Sequence, residues 1–231
     1  MIRVGCCGFS TSVDNYFREF KLVEIQKTFY KPPRVETALK WRQKAPEDFE
    51  FTVKAWQVIT HSPTSPTYRK AGLKFTDSGF FKPVKEVFDA WERTRDIAKS
   101  LNSKIVLFQT PASFKESNES IKNMEDFFST IEREFIFAWE PRGWSENTVR
   151  KVCENLDIVH CTDPFVSESV SGEIVYFRLH GSHSKMYKHK YTESELEWLK
   201  EYVSGFEKEV YVLFNNIHML EDAEKFTQLI K

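Results

Sequence analysis

Eight short runs along the chain alternate apolar with polar residues, or stay apolar throughout, and each stops at a turn-forming group. Residues 2–5 run into Gly5-Cys6-Cys7-Gly8, and Leu22-Val23-Glu24-Ile25-Gln26 and Glu50-Phe51-Thr52-Val53-Lys54 alternate strictly. Ile105-Val106-Leu107-Phe108-Gln109 is apolar until its last residue, and residues 135–140, 158–161, 174–181 and 210–214 complete the set. Successive side chains of a strand point to opposite faces. In the run 174–181, Val175, Phe177 and Leu179 therefore share one face, and Tyr176, Arg178 and His180 share the other.

Between these runs the apolar spacing changes to that of helices. It predicts helices over 13–20, about 34–44 and 84–101, a helix behind Ser117, and a helix from Ser145 to about residue 155. Thr192-Glu193-Ser194-Glu195 is a capping box that opens another, and Leu220, Ala223, Phe226 and Ile230 mark a last one. Residues 55–83 lack periodicity, and a stretch that long predicts a lid or binding loop. Strands alternating with helices predict a parallel sheet, and eight units predict a compact (β/α)8 TIM-type barrel, a single domain over residues 1–231. An open doubly wound sheet is the alternative, but no G-x-G-x-x-G follows the first strand. Residues 164–172 are too few for a full helix between the sixth and seventh strands.

Composition adds limits. With 21 Phe and 6 Trp but 8 Gly, the chain predicts thick aromatic packing and few flexible linkers. A net charge of −1 supplies no global field toward nucleic acid. The cysteines, Cys6, Cys7, Cys153 and Cys161, have no CxxC spacing and read as buried, reduced thiols. No apolar run approaches the length of a bilayer span and no signal segment is evident, so no membrane partner and a cytoplasmic location are expected.

In a barrel of this kind the chemistry sits at the carboxyl ends of the strands. Those ends carry Glu24, Lys54, Gln109, Glu140, Arg142, Asp163, Arg178, His180 and Asn215. Each has a bland alternative. Glu24 and Lys54 form a buried salt bridge, Arg178 neutralises Glu140 or Asp163, and His180 bonds a backbone carbonyl. Their shared parity favours a common pocket. His61 is placed to reach over the mouth, and Trp144 and Trp56 serve as packing or as walls for a planar ligand. The segment with Lys185, Tyr187, Lys188, His189, Lys190 and Tyr191 combines charge with rings that stack on bases. No HxH, HExxH or G-x-S-x-G spacing occurs, so no metal is assigned and the cofactor is left unassigned.

Several of these segments together resemble the YecE-like family, catalogued as domain of unknown function 72. They are Val23-Glu24-Ile25 with Thr28-Phe29-Tyr30, Phe51-Thr52-Val53-Lys54-Ala55 with Ile59-Thr60-His61, and Phe108-Gln109-Thr110-Pro111. Glu140-Pro141-Arg142-Gly143-Trp144, Asp163-Pro164, Arg178-Leu179-His180-Gly181 and Phe214-Asn215-Asn216 complete the match over nearly the whole chain. The start, Gly5-Cys6-Cys7-Gly8-Phe9, departs from the family's Gly-Thr-Ser-Gly-Trp-like pattern, and Gln26 stands where an Asn is usual. The resemblance implies a TIM-type barrel whose pocket is lined by these residues, Tyr30 included.

Three functions are expected from this arrangement. The first is an enzyme on a small or nucleotide-like anionic substrate. Arg142, Arg178 and Lys54 hold the anion, Glu140 or Glu24 acts as acid or base, and His180 carries a proton. Loss of Arg178 is then expected to cost ligand binding and spare stability. The second is a module that grips a phosphate backbone through the lysine loop. The third is a metal-dependent phosphoesterase built on Glu24, Glu140, Asp163 and His180. Lys54 in a dry barrel is also a candidate for Schiff-base chemistry. Substrate identity and oligomeric state do not follow from the sequence.

Overall fold

Every one of the eight runs folds as a strand, and the strands close into a parallel barrel in chain order. The computed structural model describes residues 1–182 and 185–231. The chain begins with β1 (Ile2–Cys7), α1 (Val13–Glu19), β2 (Leu22–Ile25), α2 (Lys27–Tyr30) and α3 (Val35–Lys44). It continues through β3 (Glu50–Lys54), α4 (Gln57–Thr60), α5 (Pro66–Ala71), α6 (Lys85–Ser100), β4 (Ile105–Gln109) and α7 (Asn118–Thr130). The remainder is β5 (Ile136–Glu140), α8 (Glu146–Leu156), β6 (Val159–Thr162), β7 (Val175–Leu179), α9 (Glu193–Ser204), β8 (Val210–Phe214) and α10 (Met219–Leu229). β1 pairs with β8 from Ile2↔Val210 to Cys6↔Phe214, which shuts the cylinder.

Helix ends follow local chemistry. Ser117 and Ser145 accept hydrogen bonds from the backbone nitrogens of Ser120 and Thr148, and Thr192 with Glu195 forms the full capping box. One difference from the sequence reading matters, and one expectation holds. Segment 55–83 is not a plain loop but carries α4 and α5, too short to show a period. β6 passes to β7 without a helix, as the short interval requires.

The strand parity sorts the core into two layers. Val175, Phe177 and Leu179 face the helices, while Leu22, Ile105, Leu107, Ala138, Cys161, Tyr176, Tyr211 and Leu213 fill the barrel interior. Outside β4 and β5, Phe81, Phe108, Phe127, Phe128, Phe137 and Trp91 pack ring on ring, with Phe108 and Phe128 5.2 Å apart. This explains the phenylalanine excess, since each buried ring contributes about 1.5–3 kcal/mol. All four cysteines are free and buried.

The amino-terminal floor is closed by charge. Arg3 Nε lies 3.2 Å from Glu50 Oε2 and 2.5 Å from Glu209 Oε1, and the Tyr211 hydroxyl donates to Glu50 Oε1 at 2.6 Å. Above it, Tyr211 and Tyr176 stack with centroids 5.7 Å apart. The interior is solid up to the carboxyl end, where the polar residues begin.

Candidate functional site

Arg178, on the inward face of β7, is the hub of the mouth. Only 1% exposed, it pairs through Nη1 with Glu140 and through Nη2, at 3.0 Å, with Glu24 Oε1. Glu24 also accepts from the Tyr176 hydroxyl at 2.9 Å and from Gln26 Nε2, and Thr52 Oγ1 supports Tyr176 at 2.7 Å. Glu140 takes Arg142 Nη2 on its other oxygen. Burial alone raises the Glu140 carboxyl, but Arg178, His180, Arg142 and Lys54 outweigh it and hold the group well below the usual carboxylate range.

His180 sits between two acidic neighbours. Its Nε2 is 3.5 Å from Glu140 Oε1 and 3.2 Å from Arg142 Nη2, and its Nδ1 is 3.6 Å from Asp163 Oδ2. Asp163 fixes this strand end by accepting the His180 backbone N–H at 2.7 Å. The ring therefore has a carboxylate near each nitrogen, the arrangement a proton carrier needs. The side chain, not a backbone carbonyl, is what His180 engages. A cavity of about 310 Å³ opens beside it, lined by Arg142, Asp163, Trp144 and Met186 among others.

Lys54 stands at the end of β3, 6% exposed, with its ammonium 4.1 Å from the centre of the Phe29 ring. It has no carboxylate partner among the described residues, so the Glu24–Lys54 salt bridge of the bland reading is replaced by Glu24–Arg178. Burial, helped by Arg178 and opposed by Glu140 and Glu24, lowers the Lys54 amine to about 8. His61 follows α4, packs edge-on against Phe29 at 4.9 Å and shares Nδ1 with the Thr60 hydroxyl at 2.8 Å. Burial, then Lys54, lowers it to about 3. It is a buried neutral ring rather than a lid.

Tyr187 meets the His180 ring edge-on at 5.7 Å and is exposed, as are Tyr30 and Met186. Gln109 turns its amide to the Thr110 carbonyl at 3.0 Å. Trp144 stacks on Phe114 at 5.4 Å and donates to its carbonyl at 2.7 Å, so it is chiefly packing that forms one cavity wall. Trp56 packs on Phe75. Asn215 is held by its backbone to the Leu179 carbonyl at 2.8 Å. Lys190 pairs with Glu221 and His189 with Glu195, so that loop lends less charge than its composition suggests; Lys185 and Lys188 are exposed.

Glu24, Lys54, Glu140, Arg142, Asp163, Arg178 and His180 thus form one cup, with three carboxylates against three fixed cations. Gln26 and Tyr176, which hold Glu24, and Thr52, which supports Tyr176, were given no site role from the sequence, although Tyr176 shares a face with Arg178 and Thr52 lies in a motif of the resemblance. Their inward parity was the available signal. The donors do not suit a metal: guanidinium groups occupy the faces of Glu24 and Glu140 that an ion would need. Among the described residues no three His, Cys, Asp or Glu side chains are grouped to hold one. Burial pushes the Cys7 and Cys161 thiols well above their usual value, so neither is a ready nucleophile.

The buried bases give a pH dependence. His61 at about 3 and His160, lowered by burial to about 4, are neutral in the fold and charged in the unfolded chain below 6.5. Their stabilisation is complete above 6.5 and is lost as pH falls toward the folded values, at up to about 1.4 kcal/mol per pH unit for each. Glu140 acts in the same direction below its ordinary value of 4.5. Urea midpoints should fall steadily from pH 7 to pH 4; a flat profile there contradicts this assignment.

Comparison with known proteins places the fold. The chain is 23% identical over 255 residues to UPF0759 protein YunF of Bacillus subtilis, across 94% of this chain and 84% of that one. A stretch of 51 residues, 22% of this chain and 19% of the other, is 39% identical to UPF0759 protein YecE of Escherichia coli K12. The crystal structure of a DUF72 family protein, EF0366 of Enterococcus faecalis V583, superposes with a TM-score of 0.79 at 22% identity, covering 100% of this chain and 97% of that one. Endonuclease IV from Thermus thermophilus shares the fold at a TM-score of 0.52 and 8% identity, over 99% and 96% of the two chains. No helix among the described residues is long and apolar enough to cross a membrane. The family model described as "Protein of unknown function DUF72" matches residues 8–231, and the chain belongs to that family.

Proposed function

We propose that the cup is the active site of an enzyme for a small anionic substrate, with Arg142 as the anion's contact and Glu140 and His180 handling protons. The observation that carries this reading is the state of Arg142. Its side chain is 29% exposed and lines the cavity, and only Nη2 is engaged, by Glu140 and His180; among the described residues its other N–H donors have no partner. A guanidinium edge left open beside a histidine is suited to a phosphate or carboxylate. Arg178 lacks this freedom, because two carboxylates enclose it, and it serves as a positioning residue.

A second reading rests on the exposed Lys185, Tyr187 and Lys188 beside this cavity. A cationic loop with a free ring suits a nucleic-acid strand, and a nuclease shares the fold. One titration series separates the two readings. Inorganic phosphate and a nucleoside monophosphate should bind the wild-type protein, and Arg142→Ala should weaken both at least about tenfold, with the thermal midpoint little changed. Undiminished binding by Arg142→Ala, or no anion binding by the wild type, overturns the first reading. Salt-dependent binding of a single-stranded oligonucleotide, lost in a Lys185→Glu/Lys188→Glu variant, supports the second.

A further inference from the structure

Lys54 is the one fixed cation of the cup that the anion-binding arrangement leaves without a task. Arg178 takes Glu24 and Glu140, Arg142 takes the second oxygen of Glu140, and no carboxylate lies within ion-pair distance of the Lys54 ammonium among the described residues. It rests instead on the face of Phe29, with buried His61 against the same ring. A lysine desolvated against aromatic surface, at the carboxyl end of a barrel strand, is in the setting that makes an amine a nucleophile. We propose that Lys54 forms an imine with a substrate carbonyl, which makes the substrate an aldehyde or ketone bearing the anionic group that Arg142 holds. This rests on the reading of Arg142 given above.

The step is balanced within the pair of reactants. The unprotonated amine adds to the carbonyl carbon, forming a nitrogen–carbon bond, and one nitrogen-bound hydrogen passes to oxygen. The carbon–oxygen bond then breaks and the second hydrogen leaves with the hydroxyl, giving the imine and one water. Nothing is oxidised or reduced. The surroundings favour the amine: with the group lowered to about 8, a far larger fraction is unprotonated at neutral pH than for an ordinary lysine at 10.5. The two carboxylates nearby do not cancel this, since both are spent on guanidinium groups.

The test uses the intact chain with glyoxylate, pyruvate and D-glyceraldehyde 3-phosphate, each with sodium borohydride, followed by intact mass and peptide mapping. The expected result is a single reduced adduct on the peptide containing Lys54, formed on the order of tenfold faster at pH 7 than any on exposed Lys85. Inorganic phosphate should slow it, and Lys54→Arg should remove it. Because the labelling contrast is read on the wild-type protein, the proposal stays open to refutation even where the variant folds poorly. No adduct with any of the three probes, or label spread evenly over surface lysines, overturns it. If that occurs while phosphate still binds through Arg142, the imine alone falls. If phosphate binding is also absent, the anion site falls with it.

Discussion

Replacing Arg178 with methionine is expected to lower the thermal midpoint by roughly 6–20 °C, the largest effect of any single change in the mouth. The reason is burial. Glu24 and Glu140 are 0% and 3% exposed, and the guanidinium between them is their shared counter-charge. Breaking a buried pair costs about 3–5 kcal/mol, because an uncompensated charge is left in a dry site, and each kcal/mol is worth about 2–4 °C in a chain of this size. The loss should shrink when Glu24→Gln and Glu140→Gln are added, since the stranded charges then disappear. A midpoint within about 2 °C of wild type for the single variant would show that the carboxylates find other partners. This reverses the expectation drawn from sequence, in which Arg178 served ligand binding and its loss spared stability.

The second large effect lies outside the cup, at Gly79. Its backbone is left-handed, at φ +82°, and a Cβ there would overlap the carbonyl of His61 and stand 2.9 Å from the Ser62 nitrogen. Alanine must therefore accept a strained backbone, about 1–2 kcal/mol, and also push the end of α4 away, about 1–3 kcal/mol more. Gly79→Ala should cost about 3 kcal/mol in a urea titration and shift His61 off Phe29. Gly72→Ala is the control. Gly72 is also left-handed, at φ +68°, but nothing lies within 4 Å of its added Cβ. It should show the backbone cost alone, so equal losses for the two variants would refute the packing argument.

The barrel was legible because its evidence is local. Alternation in runs such as Val175-Tyr176-Phe177-Arg178-Leu179 assigns an inner and an outer face, and serine and threonine caps mark where helices start. Closure and strand order follow from repetition of one unit. Most of the strand-end set converges, but Gln109 turns its amide to the Thr110 carbonyl and Asn215 is held through its backbone, so neither joins the cup. The cup's internal pairing was not legible. Glu24 meets Arg178 across 154 positions of sequence while Lys54, 30 positions away, meets an aromatic ring; parity says which face a residue occupies, not which neighbour wins its charge. The short helices α4 and α5 escaped because four to six residues are too few for a 3.6-residue period to repeat, so His61 was expected over the mouth instead of buried against Phe29.

The ionic floor formed by Arg3, Glu50, Glu209 and Tyr211, with the packed interior above it, leaves the carboxyl-end mouth as the end where the cup is reached. A ligand of the cup is bound and released on that side, where Met186 lines the cavity and Tyr187 is exposed. Under the reading proposed above, any two anions that use Arg142 share the single cavity beside His180, so inorganic phosphate should compete with an anionic ligand for it.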